Sequence, residues 1–323
     1  MPVAENLQPL FTPLKLGDVT IKNRFTMSPL TRNRAENTYP TDLMREYYVQ
    51  RADAGLIVSE GILIVRQGTE WPHAPGIWDD KQVEGWKKIV DGVHEVGGKI
   101  YAQLWHVGRA AHPDMPQQKL AGTPVYAPSA ISARGGKFRI LPGIPGYVTP
   151  TEIDDPRKII AEFKQAAINA KRAGFDGIEL HGANGYLLLQ QTHRRWGGSK
   201  ENRARFAFET IKVLQEVYGK NVSVKATPAG GFNDIGMPLE ETLDTYKYYF
   251  AELDKLEEGA KLIASGEVDA IGIGLNFIMH PDLVKRVEHG KPLDNAPDMQ
   301  HLQTNKDSGD WSTGYTDYPL AVY

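Results

Sequence analysis

Gly177-Ile-Glu-Leu-His181-Gly-Ala-Asn184-Gly-Tyr186 combines a short apolar strand with polar side chains that follow its end. The preceding Ala-Gly-Phe-Asp-Gly closes a long helical pattern, so the local order is helix, turn, strand and loop. In parallel α/β proteins the reacting groups lie at the carboxyl ends of the strands. We therefore predict that His181, Asn184 and Tyr186 are catalytic, because two neutral hydrogen-bond donors beside a phenol suit a carbonyl oxygen that gains negative charge. The alternative is that His181 and Asn184 only cap the next helix.

The composition is that of an ordinary globular protein. The 323 residues are 41% hydrophobic and 24% charged, which is compatible with one large α/β barrel or two medium domains. The net charge is −3 and no long basic run occurs, so we expect neither nucleic acid nor an anionic membrane as a partner. The absence of cysteine excludes disulfides and thiolate metal sites, and no His, Asp and Glu spacing predicts another metal site. Without a signal-peptide pattern or a run of about 18 apolar residues, the expected location is the cytoplasm.

Strand and helix patterns alternate along the chain, which predicts a parallel sheet with right-handed crossovers in a single domain, residues 1–323. A hairpin predicted over residues 10–24 would close the floor of a barrel. Residues 106–151, dense in Pro and Gly, are predicted to form a long loop with a small hairpin over the barrel mouth. Barrel strands are predicted at 25–29, 55–61, 99–105, 175–180, 221–227 and 268–274. Helices are predicted at 41–53, 79–96, 155–172, 201–218, 239–256 and 257–265, with a last one that opens at His280.

Motifs spread over nearly the whole chain resemble those of the old yellow enzyme family, and their joint order carries the resemblance. They are Leu10-Phe-Thr-Pro-Leu-Lys-Leu-Gly, Lys22-Asn-Arg-Phe, Ser28-Pro-Leu-Thr31, Ala102-Gln-Leu-Trp-His-Val-Gly-Arg109, His181-Gly-Ala-Asn-Gly-Tyr186, Trp196-Gly-Gly-Ser-Lys-Glu-Asn-Arg203, Asp269-Ala-Ile-Gly-Ile-Gly274 and Gly314-Tyr-Thr-Asp-Tyr-Pro319. Members of this family are FMN-dependent ene-reductases. The resemblance therefore implies a (β/α)8 TIM barrel that binds FMN.

The resemblance also assigns residues to the flavin site. Pro29 and Thr31 end the first strand where the family contacts the flavin ring, and the Thr31 hydroxyl suits a ring carbonyl, although it could instead form only a local turn. Gly61 offers a close backbone approach to the ring, or is a simple turn residue. Gln103 faces the pyrimidine edge of the flavin, where an amide can both donate and accept.

Three further assignments follow from the same resemblance. Lys225 stands where many members have Arg, and its charge would stabilise the reduced flavin, although it could instead be a solvated lysine at a strand end. Trp105 would form a wall of the substrate pocket, and as a core aromatic it would be equally at home. Gly274 ends the last strand motif and is assigned to the cofactor site.

The chemistry that the resemblance implies consists of two half-reactions. NADPH or NADH reduces FMN, and the reduced flavin then transfers hydride to the β-carbon of an α,β-unsaturated carbonyl compound, an enone or enal. His181 and Asn184 bind the carbonyl oxygen, and Tyr186 protonates the α-carbon. The protein is expected to be a monomer or a homodimer.

The chain departs from the family where the sixth and seventh strands are expected. The helical pattern of 239–256 runs directly into that of 257–265, so a loss of roughly 50–80 residues is implied near 255–258, since one βαβ unit takes about 30. A smaller shortening is predicted near 189–195, and Leu275 replaces a phosphate-binding Arg. Either segments are missing from an otherwise ordinary ene-reductase, or the deletion is real. A real deletion favours a flavin-free or flavin-poor relative that acts as an isomerase, a cyclase or a non-catalytic binding protein.

Overall fold

The computed structural model describes residues 5–133, 138, 140–143, 145–190, 199–226, 270–302 and 310–323. Its strands are β1 (Leu14–Leu16), β2 (Val19–Ile21), β3 (Phe25–Met27), β4 (Leu56–Leu63), β5 (Ile100–Trp105), β6 (Tyr126–Ala127), β7 (Thr151–Glu152), β8 (Gly177–Gly182), β9 (Val222–Ala226) and β10 (Ile271–Ile273). Its α-helices are α1 (Asp42–Gln50), α2 (Asp80–Glu95), α3 (Pro116–Ala121), α4 (Pro156–Ala173), α5 (Lys200–Tyr218), α6 (Leu275–Met279) and α7 (Leu283–Glu288). Short 3-10 helices cover Glu5–Phe11, Gly108–Ala110 and Leu187–Leu189. Within these ranges no helix is both long and apolar enough to cross a bilayer.

Six parallel strands form the central sheet, in the order β10-β3-β4-β5-β8-β9. Of the described strands, the one latest in the chain, β10, therefore pairs with the first parallel strand, β3, which is how a (β/α)8 barrel closes. The six predicted barrel strands are confirmed, and the described sheet is an incomplete (β/α)8 barrel. Only residues 227–270 separate β9 from β10. The deletion predicted near 255–258 and the helices predicted at 239–256 and 257–265 lie outside the described residues, as does most of the shortening near 189–195.

The four long helices that were predicted are confirmed, and a polar side chain caps the N-terminus of each. Thr41, Asp79, Asp155 and Ser199 each accept a hydrogen bond from a backbone N–H of the first helical turn. At the start of α2 the cap is reciprocal, since the Gln82 side chain also bonds back to the cap backbone. The caps fix the residue at which each helix begins, and this sets the lengths of the loops that carry the candidate site residues.

The two faces of each barrel strand pack against different layers. Ala102 and Leu104 of β5, with Ile178 and Leu180 of β8, belong to the large core beneath the helices. Tyr101, one residue out of phase, instead packs with the starts of the strands and with the β1–β2 hairpin. The hairpin predicted over residues 10–24 is therefore confirmed as the floor of the barrel. The interior above this floor is left to the polar side chains of the candidate site.

The long connection after β5 carries short elements of its own. Its described residues include α3 and two short strands, β6 and β7, which pair in parallel at the two ends of the excursion. Parallel strands need a long connection between them, and residues 128–150 provide it. The small hairpin predicted within this connection stays a prediction, because residues 134–137, 139 and 144 lie outside the described residues.

The last predicted helix begins later than His280. The structure has two short helices, α6 and α7, separated by His280 and Pro281, and α7 begins at Leu283. A residue that precedes proline is disfavoured in the helical conformation, and His280 has φ −127° and ψ 86°. The sequence therefore breaks the helix where the prediction had placed its start.

Arg51 joins α1 to the end of the chain. Its buried guanidinium donates to the carbonyl oxygens of Phe277 (2.7 Å), Ile278 (2.7 Å) and Tyr315 (3.2 Å) and lies 3.8 Å from the ring centroid of Tyr47. Burial lowers the pKa of Arg51 to about 10, so it stays charged at neutral pH. The charge is stabilised by carbonyl dipoles and an aromatic face.

We expect Arg51→Met to lower the free energy of unfolding by about 3 kcal/mol, because several buried carbonyls lose a charged donor. Chemical denaturation followed by circular dichroism measures this. Arg45→Met on the same helix is the matched control, because Arg45 makes only an exposed ion pair with Glu95 and its loss should cost at most about 1 kcal/mol. Equal effects of the two substitutions would contradict the role assigned to Arg51.

Candidate active site

Polar side chains line the interior of the barrel along three neighbouring strands. In the register of β5, β8 and β9, Gln103 lies opposite Glu179 and His181 lies opposite Lys225. Alternate residues of a strand share a face, so Gln103 and Trp105 face the same side, as do Glu179 and His181. The sheet thus brings the predicted residues Gln103, Trp105, His181 and Lys225 to one region.

Three aromatic rings, which we call the ring cluster, meet at the carboxyl end of this region. The rings of Trp105 and His181 are stacked with centroids 5.9 Å apart, and Tyr186 meets both edge-on, at 5.0 Å from Trp105 and 5.1 Å from His181. All three side chains are at most 5% exposed. Edge-to-face and offset contacts of this kind hold rings in fixed relative orientations. The structure therefore places two predicted catalytic residues and the predicted pocket residue in direct contact.

His181 is a neutral imidazole with one defined donor. Burial, with a smaller effect of the Lys225 charge, lowers the pKa of His181 to about 3. Its Nδ1 accepts a hydrogen bond from the backbone N–H of Ala183 at 3.4 Å. Because a neutral imidazole that accepts at Nδ1 carries its proton on Nε2, His181 offers an Nε2–H donor.

Asn184 sits in a tight turn directly after β8. It has φ 59° and Gly185 has φ 69°, a left-handed pair that Asn and Gly tolerate better than other residues. The turn is closed by the Tyr186 N–H, which donates to the Ala183 carbonyl at 3.3 Å. It reverses the chain so that Tyr186 packs back on His181, while Asn184 stays half-buried. The alternative in which His181 and Asn184 cap the next helix is not what the structure shows, because Ser199 caps α5.

A buried amide and carboxyl lie one layer deeper. Gln103 Nε2 donates to Glu179 Oε1 at 2.7 Å, and the Gln103 backbone N–H donates to Ser59 Oγ at 3.1 Å. Burial raises the pKa of Glu179, and burial lowers the pKa of Lys225 against the opposing effect of the Glu179 charge. The bond to Glu179 orients the Gln103 side-chain amide, and the strand pattern alone did not predict this contact.

In the structure Gly61 is needed for packing against Trp105, whereas the prediction was a close approach to the flavin or a simple turn. A Cβ at this position would lie 2.5 Å from Cε3 of Trp105, so the missing side chain makes room for the indole ring. Gly61 lies opposite Gln103, just beyond a bulge in β4. Its backbone contact with a flavin stays a prediction.

Pro29, Thr31 and Gly274 also lie at the carboxyl ends of parallel strands, but these strands are β3 and β10. Pro29 and Thr31 follow β3, and Gly274 follows β10, which β3 pairs with directly. The sheet order puts β4 and β5 between β3 and β8. These three residues are half-buried, and a Cβ added at Gly274 would come no closer than 3.8 Å to another atom, Cδ2 of Leu30. Leu275, predicted to replace an Arg, begins α6 and is exposed.

Two buried carboxyl groups near the site were not predicted. Glu70 accepts a hydrogen bond from the Tyr186 hydroxyl at 3.0 Å. Glu60 accepts from the Arg32 backbone N–H and the Tyr48 hydroxyl, and burial raises the pKa of Glu60 to about 7. Glu60 interrupts the apolar run of β4, and Glu70 follows it. An acidic residue in or after such a run was the sequence signal that could have identified them. In the described ranges, no cluster of three or more His, Asp or Glu residues could hold a metal ion.

The interior also has an unpaired donor. Among the described residues, Nε1 of the buried Trp105 has no hydrogen-bond partner. Buried polar atoms are nearly always paired, so this indole N–H is a donor that a ligand atom would satisfy. An amide, a cation and an unpaired indole N–H around one interior fit a flat, polar cofactor such as a flavin.

Comparisons with known proteins agree with this chemistry. Residues 9–252 match the NADH:flavin oxidoreductase / NADH oxidase family. A probable flavin mononucleotide-dependent alkene reductase of Leishmania infantum is 33% identical, with 98% of this chain and 99% of that protein covered. A solved structure of morphinone reductase in complex with tetrahydroNAD superposes with a TM-score of 0.85 at 34% identity, over 97% of this chain and 98% of the other. The old yellow enzyme from Trypanosoma cruzi superposes with a TM-score of 0.84 at 31% identity, over 98% and 99%.

The alignment with the Leishmania protein also contains internal gaps. It runs over 373 positions, whereas this chain has 323 residues, so at least 373 minus 323, or 50, positions have no counterpart here. Both chains are covered almost to their ends, so the gaps lie inside the alignment. Their total agrees in size with the shortening inferred from the strand count. Its position stays a prediction.

We expect the His181 imidazole to remain neutral, with its proton on Nε2, from about pH 5 to pH 8, because its pKa is far below the usual value near 6.5. Two-dimensional ¹H–¹⁵N spectra of protein labelled at histidine nitrogen distinguish the two neutral tautomers and the cation. The signal that disappears in His181→Asn is assigned to His181. A cationic ring or a proton on Nδ1 in this range would contradict the geometry.

Proposed function

The chain belongs to the NADH:flavin oxidoreductase / NADH oxidase family, and we propose that it reduces the C=C bond of α,β-unsaturated carbonyl compounds with NADPH or NADH as reductant. Its cofactor is FMN, as the family implies. FMN, when bound, supplies the hydride that reaches the β-carbon. The observation that carries the proposal is the buried, neutral His181, whose Nε2–H is the kind of fixed donor that an enone oxygen requires.

The residues present fit the flavin in chemical type. We assign the polar edge of the cofactor to Gln103 and Lys225, which lie on strands to either side of β8, and assign Thr31 to the opposite part of the site. Lys225 brings a positive charge to a partly desolvated interior, where it favours an electron-rich ring. Because Lys lacks the planar fork of Arg, this contact acts through charge rather than through paired hydrogen bonds.

His181 and Asn184 are assigned to the substrate carbonyl oxygen. A donor that is already oriented and desolvated stabilises developing negative charge without reorganisation at the moment of reaction. Stacking on Trp105 keeps the imidazole plane in place, and the left-handed turn fixes the backbone of Asn184 three residues later. Two donors that converge on one oxygen also exclude other orientations of a small enone or enal.

Tyr186 is assigned as the proton donor to the α-carbon. Its ring meets that of His181 edge-on at an interplanar angle of 87°, so the phenol and the imidazole are neighbouring groups with different orientations. The donor for the oxygen and the donor for the carbon are thus separate groups, which an addition of hydride and proton to opposite ends of a C=C bond requires.

The alternative, a flavin-free or flavin-poor isomerase, cyclase or binding protein, is not favoured. The relatives and structures to which the chain is similar include a probable flavin-dependent alkene reductase and an old yellow enzyme. The interior polar residues Gln103 and Lys225 also have no part in an isomerisation that uses only His181, Asn184 and Tyr186.

The purified full-length protein is expected to be yellow, with flavin absorption bands that NADPH or NADH bleaches without oxygen and cyclohexenone restores. The reason is that hydride enters and leaves through the same bound flavin. Absorption spectroscopy measures this directly, and intact mass checks the length of the chain. A preparation that stays colourless after addition of FMN would favour the flavin-free alternative.

We expect His181→Ala to lower the rate of enone reduction by about 10²–10³-fold, because one oxyanion donor is removed. Stopped-flow measurement of flavin reoxidation by cyclohexenone gives this rate, and the flavin spectrum checks that the variant still binds FMN. His289→Ala is the control, because this exposed histidine contacts Tyr323 at the end of the chain. A rate for His181→Ala within about threefold of the wild type would show that the assignment is wrong.

A further inference from the structure

The phenol of Tyr186 is bonded to a carboxyl group that no motif identified. Tyr186 Oη and Glu70 Oε2 are 3.0 Å apart, and the exposed fractions of the two side chains are 4% and 1%. Glu70 lies in the loop after β4 and Tyr186 in the loop after β8, which are not neighbours in the sheet. Tertiary structure alone therefore creates this pair.

The loop that carries Glu70 is held in place from two sides. The Gly68 N–H donates to Gln118 Oε1 at 3.1 Å, and the Gly68 carbonyl accepts from the Val107 N–H at 3.0 Å. Within the loop, Thr69 Oγ1 donates to the Trp71 carbonyl at 2.8 Å. The carboxyl group is thus presented to Tyr186 by a braced backbone, as a group that must keep its position requires.

The surroundings of the phenol oxygen keep bulk water away. Tyr186 belongs to a buried cluster with apolar neighbours, among them Leu63, Trp105 and Val107. A phenolate left in such an environment after proton transfer would be costly, because burial disfavours the charged form. A neighbour that can return a proton at once removes this cost.

In a hydrogen bond between a phenol and a carboxyl group, the protonation state of the carboxyl group decides which of the two donates. When Glu70 is a carboxylate, Tyr186 donates to it and the phenol proton is turned toward Glu70. When Glu70 is a carboxylic acid, it can donate to the phenol oxygen, and the phenol proton can point toward a substrate. The protonated form of Glu70 therefore makes Tyr186 available as a donor.

On the basis of the proposed function, we propose that Glu70 is a positioning residue that acts through Tyr186 and returns the proton that Tyr186 gives to the substrate. The Tyr186 O–H bond breaks as a C–H bond forms at the α-carbon, and the electron pair of the O–H bond stays on the phenol oxygen. In the same step the Glu70 O–H bond breaks and its proton restores the phenol, so that no phenolate is left and Glu70 becomes a carboxylate. Glu70 takes up a proton from water before the next turnover, so protons balance and no electron transfer is involved in these steps.

Glu70→Gln tests the proposal, because the amide has nearly the same shape and can still hydrogen-bond to Tyr186 but has no acidic proton to transfer. Stopped-flow spectroscopy of the flavin-loaded protein separates reduction by NADPH from reoxidation by cyclohexenone. We expect reoxidation to slow by about tenfold or more, with a larger solvent deuterium isotope effect, since general acid catalysis typically contributes 10²–10⁴-fold. Reduction by NADPH should stay within about twofold, because it needs no proton from Tyr186.

Two comparisons make the test specific. Glu84→Gln removes a carboxylate from the exposed face of α2 and should leave both half-reactions unchanged. In a Tyr186→Phe background, Glu70→Gln should have no further effect on reoxidation, because residues that act through one another are not additive. The thermal melting temperature and flavin content of each variant show that it is folded and loaded.

The outcomes separate this proposal from the function on which it rests. If cyclohexenone fails to reoxidise the reduced wild-type protein, the proposed function is wrong. If the wild type reacts and Glu70→Gln reoxidises within about twofold of it, the function stands and the role of Glu70 is wrong. Equal slowing of both half-reactions, or equal slowing with and without the Tyr186 hydroxyl, would also overturn the role of Glu70.

Discussion

The parallel hydrogen bonding of β5, β8 and β9 is the constraint on which the candidate site depends. Its register sets Gln103 against Glu179 and His181 against Lys225, and a slip of one residue would turn all of these side chains outward to the helices. The apolar residues between them, such as Leu104 and Leu180, would then enter the interior. One set of backbone bonds thus separates the core from the site, and the core stabilises the register that the site needs.

Burial gives this interior its chemical character. Groups that are charged in water lie here in an environment that favours their neutral forms: the pKa of His181 is lowered, the pKa of Lys225 is lowered and the pKa of Glu179 is raised. A neutral imidazole donates a hydrogen bond without adding a positive charge. The same burial strengthens each electrostatic contact, because little water is present to screen it. The site therefore acts through orientation and desolvation.

Much of the fold followed from periodicity and caps. The predicted helix starts at Thr41, Asp79 and Asp155 are the observed cap residues, and α5 begins one residue before its predicted start at 201, since a polar cap followed by an apolar stripe is a local signal. The hairpin over residues 10–24 and the six parallel strands were predicted for the same reason. The parallel pairing of β6 with β7 was not predicted, because it joins residues far apart in the chain, and composition carries no information about such pairs.

The sequence by itself determined the element order, the strand ends that carry His181, Gln103 and Lys225, and the family resemblance that pointed to a flavin. Only the tertiary structure decided that Trp105 stacks on His181, that Gly61 is needed by the indole ring, and that Glu70 bonds to Tyr186. The difference has one physical cause. Local patterns report which face of an element is buried, whereas contacts between loops from separate strands depend on how the barrel curves and on which backbone groups brace each loop.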